Sequence, residues 1–197
     1  MHGILSSLIG ENRLATYAGA PPKLTGAETA EIYLFDLALR SALLRSFALV
    51  EHLILFKIVP KWNPDKPITF GDIRRKLEHL PLKDKHRIAR ELGFRQYLEL
   101  RATLANLNAF RNRVAHHNRT WNFKVKQAVP KLLLDRGPVF ARLVSNPFSV
   151  GGCIAGILFL VGSFKPVSDL ETELNHLIRT STLENRFLLL NMGFEVP

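Results

Sequence analysis

The 197-residue chain is predicted to be all-α, and three observations carry that class. Apolar residues recur at steps of three and four over two long stretches, Ile32 to Ile54 and Tyr97 to Val114. Helix start and stop signals flank most of the apolar segments. No strict alternation of apolar and polar residues runs long enough for a strand. The expected architecture is a helical bundle.

Residues 1–24 read as an irregular lead-in, interrupted by Ala20-Pro21-Pro22-Lys23, and residues 25–197 as a single helical domain. Thr25 opens the first long helix, with Glu28 three residues on completing a capping-box pattern. Its apolar face is Ile32, Phe35, Leu39, Leu43, Phe47, Val50 and Ile54, and it runs to about Val59 before Pro60. Lys61 to Pro67 is rich in breakers and reads as a loop. Thr69 caps a short helix through Leu77, with Asp72 at its favourable N-terminal end. Leu82 to Leu92 forms another, closed by Gly93.

Phe94 to about Ala115 is the most informative helix. Its seam runs Tyr97, Leu100, Leu104, Leu107, Arg111, Val114, so an arginine occupies a core-facing step. Gly137-Pro138 and Asn146-Pro147 break the C-terminal half. Val150 to Val161 is apolar but only about a dozen residues long, against the roughly 20 that a membrane span needs, and reads as a buried helix. Ser168 caps a last helix to about Leu190, before Gly193.

Composition narrows the function. Twenty-seven Lys and Arg against 17 Asp and Glu give a formal charge of +10, which favours a polyanionic partner, nucleic acid or an anionic membrane surface. The one cysteine, Cys153, rules out a disulfide within the chain and a Cys-based zinc site. Met1-His2-Gly3-Ile4-Leu5 lacks the basic start and long apolar core of a signal peptide, so a cytoplasmic location is expected. There is no Gly-rich phosphate loop and no G-x-S-x-G elbow.

The chemistry concentrates in Arg111-Asn112-Arg113-Val114-Ala115-His116-His117-Asn118-Arg119. Arg111 on an apolar seam needs a partner or a polar cleft, because an unpaired buried cation is strongly disfavoured. A salt bridge to Glu51 or Asp36 is the structural alternative to a catalytic role. Three guanidiniums and two imidazoles within nine residues suit a phosphodiester. Arginine grips phosphate with a bidentate fork, and histidine exchanges a proton near neutral pH. RNA brings its own nucleophile, the 2′-hydroxyl, so no metal or cofactor is required. The adjacent histidines point apart and no carboxylate lies in the motif, so a metal site is not expected. Trp121 is a candidate to stack on a base or to sit in the core. On an unbroken helix Arg111 and His116 point roughly 140° apart. They reach one phosphate only if the helix bends or ends there, or if a second subunit completes the site.

Arg111-Asn112-Arg113-Val114-Ala115-His116 resembles the R-N-x-x-x-H pattern of HEPN ribonucleases. The longer string through Asn122 resembles the R-N-x-x-A-H-H-x-R-x-W-N signature of the Abi-like (AbiD/AbiF) abortive-infection proteins. Arg13-Leu14-Ala15-Thr16-Tyr17 resembles the R-L-x-x-Y lead-in of some members. Tyr33 to Arg40 and on to Glu51, Ile88 to Gly93, and Met192-Gly193-Phe194 resemble other family segments in the same order. One departure is visible. Members often carry Arg four residues after the glutamate matching Glu51, where this chain has Leu55, and Glu51 is therefore not counted among the site residues.

The resemblance implies a HEPN-like helical bundle with long helices and a C-terminal helical extension. It also implies homodimers, RNA binding, and phage-defence or toxin-like behaviour, in some members with a small noncoding RNA as partner. Arg111 and His116 would be the catalytic pair of a metal-independent endoribonuclease. Asn112 and His117 would support them, and Arg113, Asn118, Arg119 and Trp121 would contact RNA. A non-catalytic RNA-binding protein held by a structured noncoding RNA is the alternative, and a membrane-surface protein a third.

Overall fold

A computed structural model describes residues 2–18, 24–58, 68–133, 146–162, 166–180 and 192–193. These contain eight α-helices and no strand, so the all-α class is the one observed. They are α1 (His2–Ile9), α2 (Glu11–Ala18), α3 (Gly26–Ile58), α4 (Phe70–His79), α5 (Leu82–Glu91), α6 (Tyr97–Ala115), α7 (Val150–Val161) and α8 (Pro166–Thr180), with a 3-10 turn at Lys131–Leu133.

The first correction concerns residues 1–24. Instead of an irregular lead-in, residues 2–9 and 11–18 form two short helices hinged at Gly10, whose φ is +85°. Each is only eight residues long, too short to be stable on its own. What holds α2 is tertiary: Leu14 and Tyr17 are buried against α3.

Local signals read from sequence act as expected at several ends. Thr25 and Glu28 bond reciprocally at the start of α3, with Thr25 N donating to Glu28 Oε2 at 2.7 Å and Glu28 N donating to Thr25 Oγ1 at 3.3 Å. Thr69 and Asp72 do the same for α4. Gly93, at φ +86°, closes α5. Its N–H donates to Arg90 O at 2.9 Å, and Phe94 N–H donates to Ala89 O at 2.9 Å. The motif helix starts at Tyr97 rather than Phe94, because Glu99 turns back to accept from the N–H groups of Arg95 and Gln96. Residues 59–67, which include Pro60 and the expected 61–67 loop, lie outside the described residues, as do Gly137-Pro138 and residues 181–190 of the expected last helix. The last helix begins at Pro166, so Ser168 lies within it rather than ahead of its first turn. Proline suits the first helical position because its missing N–H would be unpaired there anyway.

α3 is the central strut and packs against α1, α2, α4, α6, α7 and α8. All seven positions of its expected seam are buried, but so are Tyr33, Asp36, Arg40, Ala42, Ser46 and Leu55. A helix surrounded on several sides buries more than one stripe. α7 is buried along almost its whole length, and Gly156 lets it approach α6. A Cβ there would stand 3.3 Å from Thr103 Cγ2. Among the described residues no helix is long and apolar enough to cross a membrane.

Candidate functional site

α6 stops in the middle of the basic motif. The N–H of His117 donates to Val114 O at 3.1 Å, and the N–H of Asn118 donates to Arg113 O at 2.9 Å. That pair of bonds is the Schellman arrangement, which needs a left-handed residue at the first position past the cap. The position is usually glycine. Here it is His117, at φ 54°. A non-glycine residue in this region is uncommon and persists only where its surroundings hold it.

Two arginines from the N-terminal half hold it. Arg13 on α2 donates through Nη2 to His117 O at 2.6 Å, and Arg40 on α3 donates through Nη1 to the same oxygen at 2.6 Å and to Asn118 O at 3.3 Å. One helical turn before Arg40, Asp36 grips the other end of the loop. Its carboxylate accepts from Thr120 N at 3.2 Å, Trp121 N at 2.8 Å, the Thr120 hydroxyl, and the Tyr17 hydroxyl at 2.5 Å. Arg40 Nε lies 3.7 Å from Asp36 Oδ2, and both side chains are almost wholly buried. A buried ion pair on successive turns of α3 therefore takes the loop's carbonyls with its cation and the loop's N–H groups with its anion. Burial, then the negative charge of Asp36, pushes the Tyr17 phenol well above its ordinary range.

This grip leaves the side chains of His116, His117 and Asn118 exposed on one tight turn. They line a cleft of about 510 Å³ with Arg13, Thr16 and Tyr17 of α2 and with Arg113 and Arg119. Among the described residues no carboxylate lines it. Arg113 Nε donates to Arg119 O at 2.5 Å and its guanidinium lies 4.8 Å from the centre of the Phe123 ring. Arg119 donates to Thr16 O and its guanidinium lies 5.5 Å from the Trp121 ring centre. Burial, then the like charge of Arg113, lowers the proton affinity of Arg119.

The remaining sequence-picked residues fall elsewhere. Arg111 donates through Nε to Glu51 Oε1 at 2.8 Å, with the two side chains 30% and 20% exposed. Of the two partners considered for it, Glu51 is the one, since Asp36 is bound to the 120–121 loop. The helix does end between Arg111 and His116, yet Arg111 does not line the cleft that holds His116 in the same chain. Asn112 is exposed on the last turn of α6. Trp121 is 1% exposed and offers no face to a base, so the core reading replaces the RNA-contact one. The indole lies under Arg119 and supports it.

Sequence reasoning missed Arg13 as a lining residue and Asp36–Arg40 as the clamp. The signal was present: Asp36 and Arg40 are opposite charges four apart, interleaved with the buried positions Phe35 and Leu39.

Fold and cleft together define an all-helical protein with an arginine- and histidine-lined groove at a helix end. The family model described as Abi-like protein matches residues 55–122, from the last turn of α3 through α4, α5 and α6 to the clamped loop. Over that segment the chain is similar to the Abi-like family. Comparison with curated proteins and with solved structures found no similar chain.

Proposed function

We propose that this protein is an abortive-infection effector that binds RNA and cleaves it without a metal. The observation that carries the reading is the cleft itself: two exposed imidazoles beside three guanidiniums, with no carboxylate among the lining residues. In the reaction a neutral imidazole takes the proton of the 2′-hydroxyl as its oxygen attacks phosphorus. The guanidiniums hold the non-bridging oxygens while negative charge builds on them, and the 5′-oxygen leaves with a proton. The products are a 2′,3′-cyclic phosphate and a 5′-hydroxyl. His116 and His117 hold the proton-transfer roles between them.

Arg111 enters from a second copy in this reading. Among the described residues its one bond is from Nε to Glu51, which leaves the rest of its fork for a phosphate presented across a homodimer. The HEPN-like assignment and the homodimer belong to this proposal.

The test is incubation of purified protein with total RNA in EDTA. Cleavage is expected, with 5′-hydroxyl ends, and with loss of cleavage in folded Arg111→Ala and His116→Ala variants. Cleavage retained in the double variant overturns the reading. A second reading is favoured by the separation of Arg111 from the cleft within one chain: a non-catalytic protein that holds a structured noncoding RNA. RNA that co-purifies with wild type, with no cleavage of any substrate, decides for it.

A further inference from the structure

We infer that Arg13 is a phosphate-contact residue, and that α2 forms one wall of an RNA backbone groove with the 116–119 turn. The inference rests on the RNA-directed reading above. It concerns a residue outside the segment 55–122 that the Abi-like family model matches.

The three cleft arginines share a pattern. Each gives an N–H to a main-chain carbonyl: Arg13 to His117, Arg113 to Arg119, and Arg119 to Thr16. A carbonyl orients a guanidinium but cancels none of its charge. Elsewhere in the fold Arg45, Arg74, Arg75, Arg87, Arg101 and Arg111 each meet a carboxylate. Among the described residues Arg13, Arg113 and Arg119 meet none. Three unneutralised cations therefore converge on one cleft, held in place by bonds that leave most of their N–H groups open. Like charges kept this close oppose folding, and an anion between them removes that opposition.

The chemistry of the anion follows from the donors. Planar forks match the paired oxygens of a phosphodiester. The cleft volume of about 510 Å³ falls within the range of small-ligand sites and suits about one nucleotide unit. Trp121 lies beneath Arg119, and Phe123 beneath Arg113, so neither ring is free to stack on a base from the cleft. The groove thus reads backbone and not sequence.

Arg13 is also placed firmly enough to act. Its helix is anchored one turn further on by Tyr17, whose hydroxyl is bound to Asp36, and by buried Leu14. The side chain itself remains exposed at the mouth of the cleft.

The experiment measures binding of a fluorescein-labelled, mixed-sequence single-stranded RNA carrying 2′-fluoro groups, which bind as RNA does but supply no nucleophile. Affinity is followed by anisotropy over a series of KCl concentrations. Arg13→Gln should lower the slope of log affinity against log salt by about 0.7, the contribution of one phosphate contact to a single strand, which is about a fivefold loss near 0.1 M salt. Arg13→Lys should keep the wild-type slope while binding more weakly, because charge is retained and the fork is lost.

An unchanged slope in folded Arg13→Gln overturns the inference and leaves the RNA reading standing. Should Arg13→Gln fail to fold, wild-type affinity in Arg13→Lys overturns it instead. Wild-type protein that does not bind this RNA removes the RNA reading and the inference together. Displacement by poly-glutamate as effective as by unlabelled RNA overturns the phosphate assignment in favour of an acidic protein partner.

Discussion

Replacing Asp36 by alanine should cost this protein a large part of its stability and release the loop that carries the histidines. The carboxylate is fully buried and accepts from the Tyr17 and Thr120 hydroxyls and from the Thr120 and Trp121 N–H groups, with Arg40 beside it. Removing one partner of a buried ion pair costs roughly 3–5 kcal/mol, because the other charge stays buried without it. Arg40 remains 2% exposed, so that range applies. Each buried donor left unpaired adds about 1–3 kcal/mol, less whatever water entering the hole recovers. A loss of at least about 3 kcal/mol is expected, against a total of about 5–15 kcal/mol for a typical domain. Adding Arg40→Met should return part of it, since the orphaned charge goes too. The assay is urea unfolding followed by circular dichroism, with amide hydrogen exchange at Thr120 and Trp121. A loss below about 1 kcal/mol would refute the clamp, since that is the size of an ordinary surface change. So would unaltered protection of the two amides in the folded variant.

Two further outcomes follow from the structure. The Tyr17 phenol is raised in the folded state, so the folded protein holds that proton more tightly than the unfolded chain. Its contribution is complete below the unfolded value of about 10 and declines as pH rises above it; Tyr17→Phe should unfold more easily at neutral pH but show a flatter alkaline decline, measured by urea midpoints across pH. Gly152→Ala should destabilise by about 1–3 kcal/mol, because a Cβ there would stand 2.6 Å from Val129 Cγ2 and 3.1 Å from Pro147 O; a thermal midpoint equal to wild type counts against that packing.

Much of the helical framework was legible in the chain. α3, α4, α5 and α6 carry periodic apolar faces, and α3, α4 and α5 carry self-contained end signals, because a capping box or a glycine cap needs only neighbours within about five residues. Helices α1 and α2 were not legible. Each is only eight residues long, too short to be stable alone, and α2 is held as a helix by Leu14 and Tyr17 packing on α3. The start of the last helix was misplaced because Ser168 and Pro166 both carry starting signals, and the proline takes the first position.

The candidate site divides along the same line. Residue types and spacing alone determined that Arg111 to Arg119 is a dense set of guanidiniums and imidazoles, since that composition is a property of nine consecutive residues. The partners of those groups depend on contacts far apart in sequence. Arg111 pairs within its own chain with Glu51, sixty positions away, and Trp121, two residues past the set, lies in the core. Arg13 entered from α2, and Asp36 and Arg40 fixed the turn from beneath. A left-handed histidine at position 117 is disfavoured by its own local sterics. It stands because buried charges more than 70 residues away hold the adjoining carbonyls and N–H groups, and only the folded chain brings those charges there.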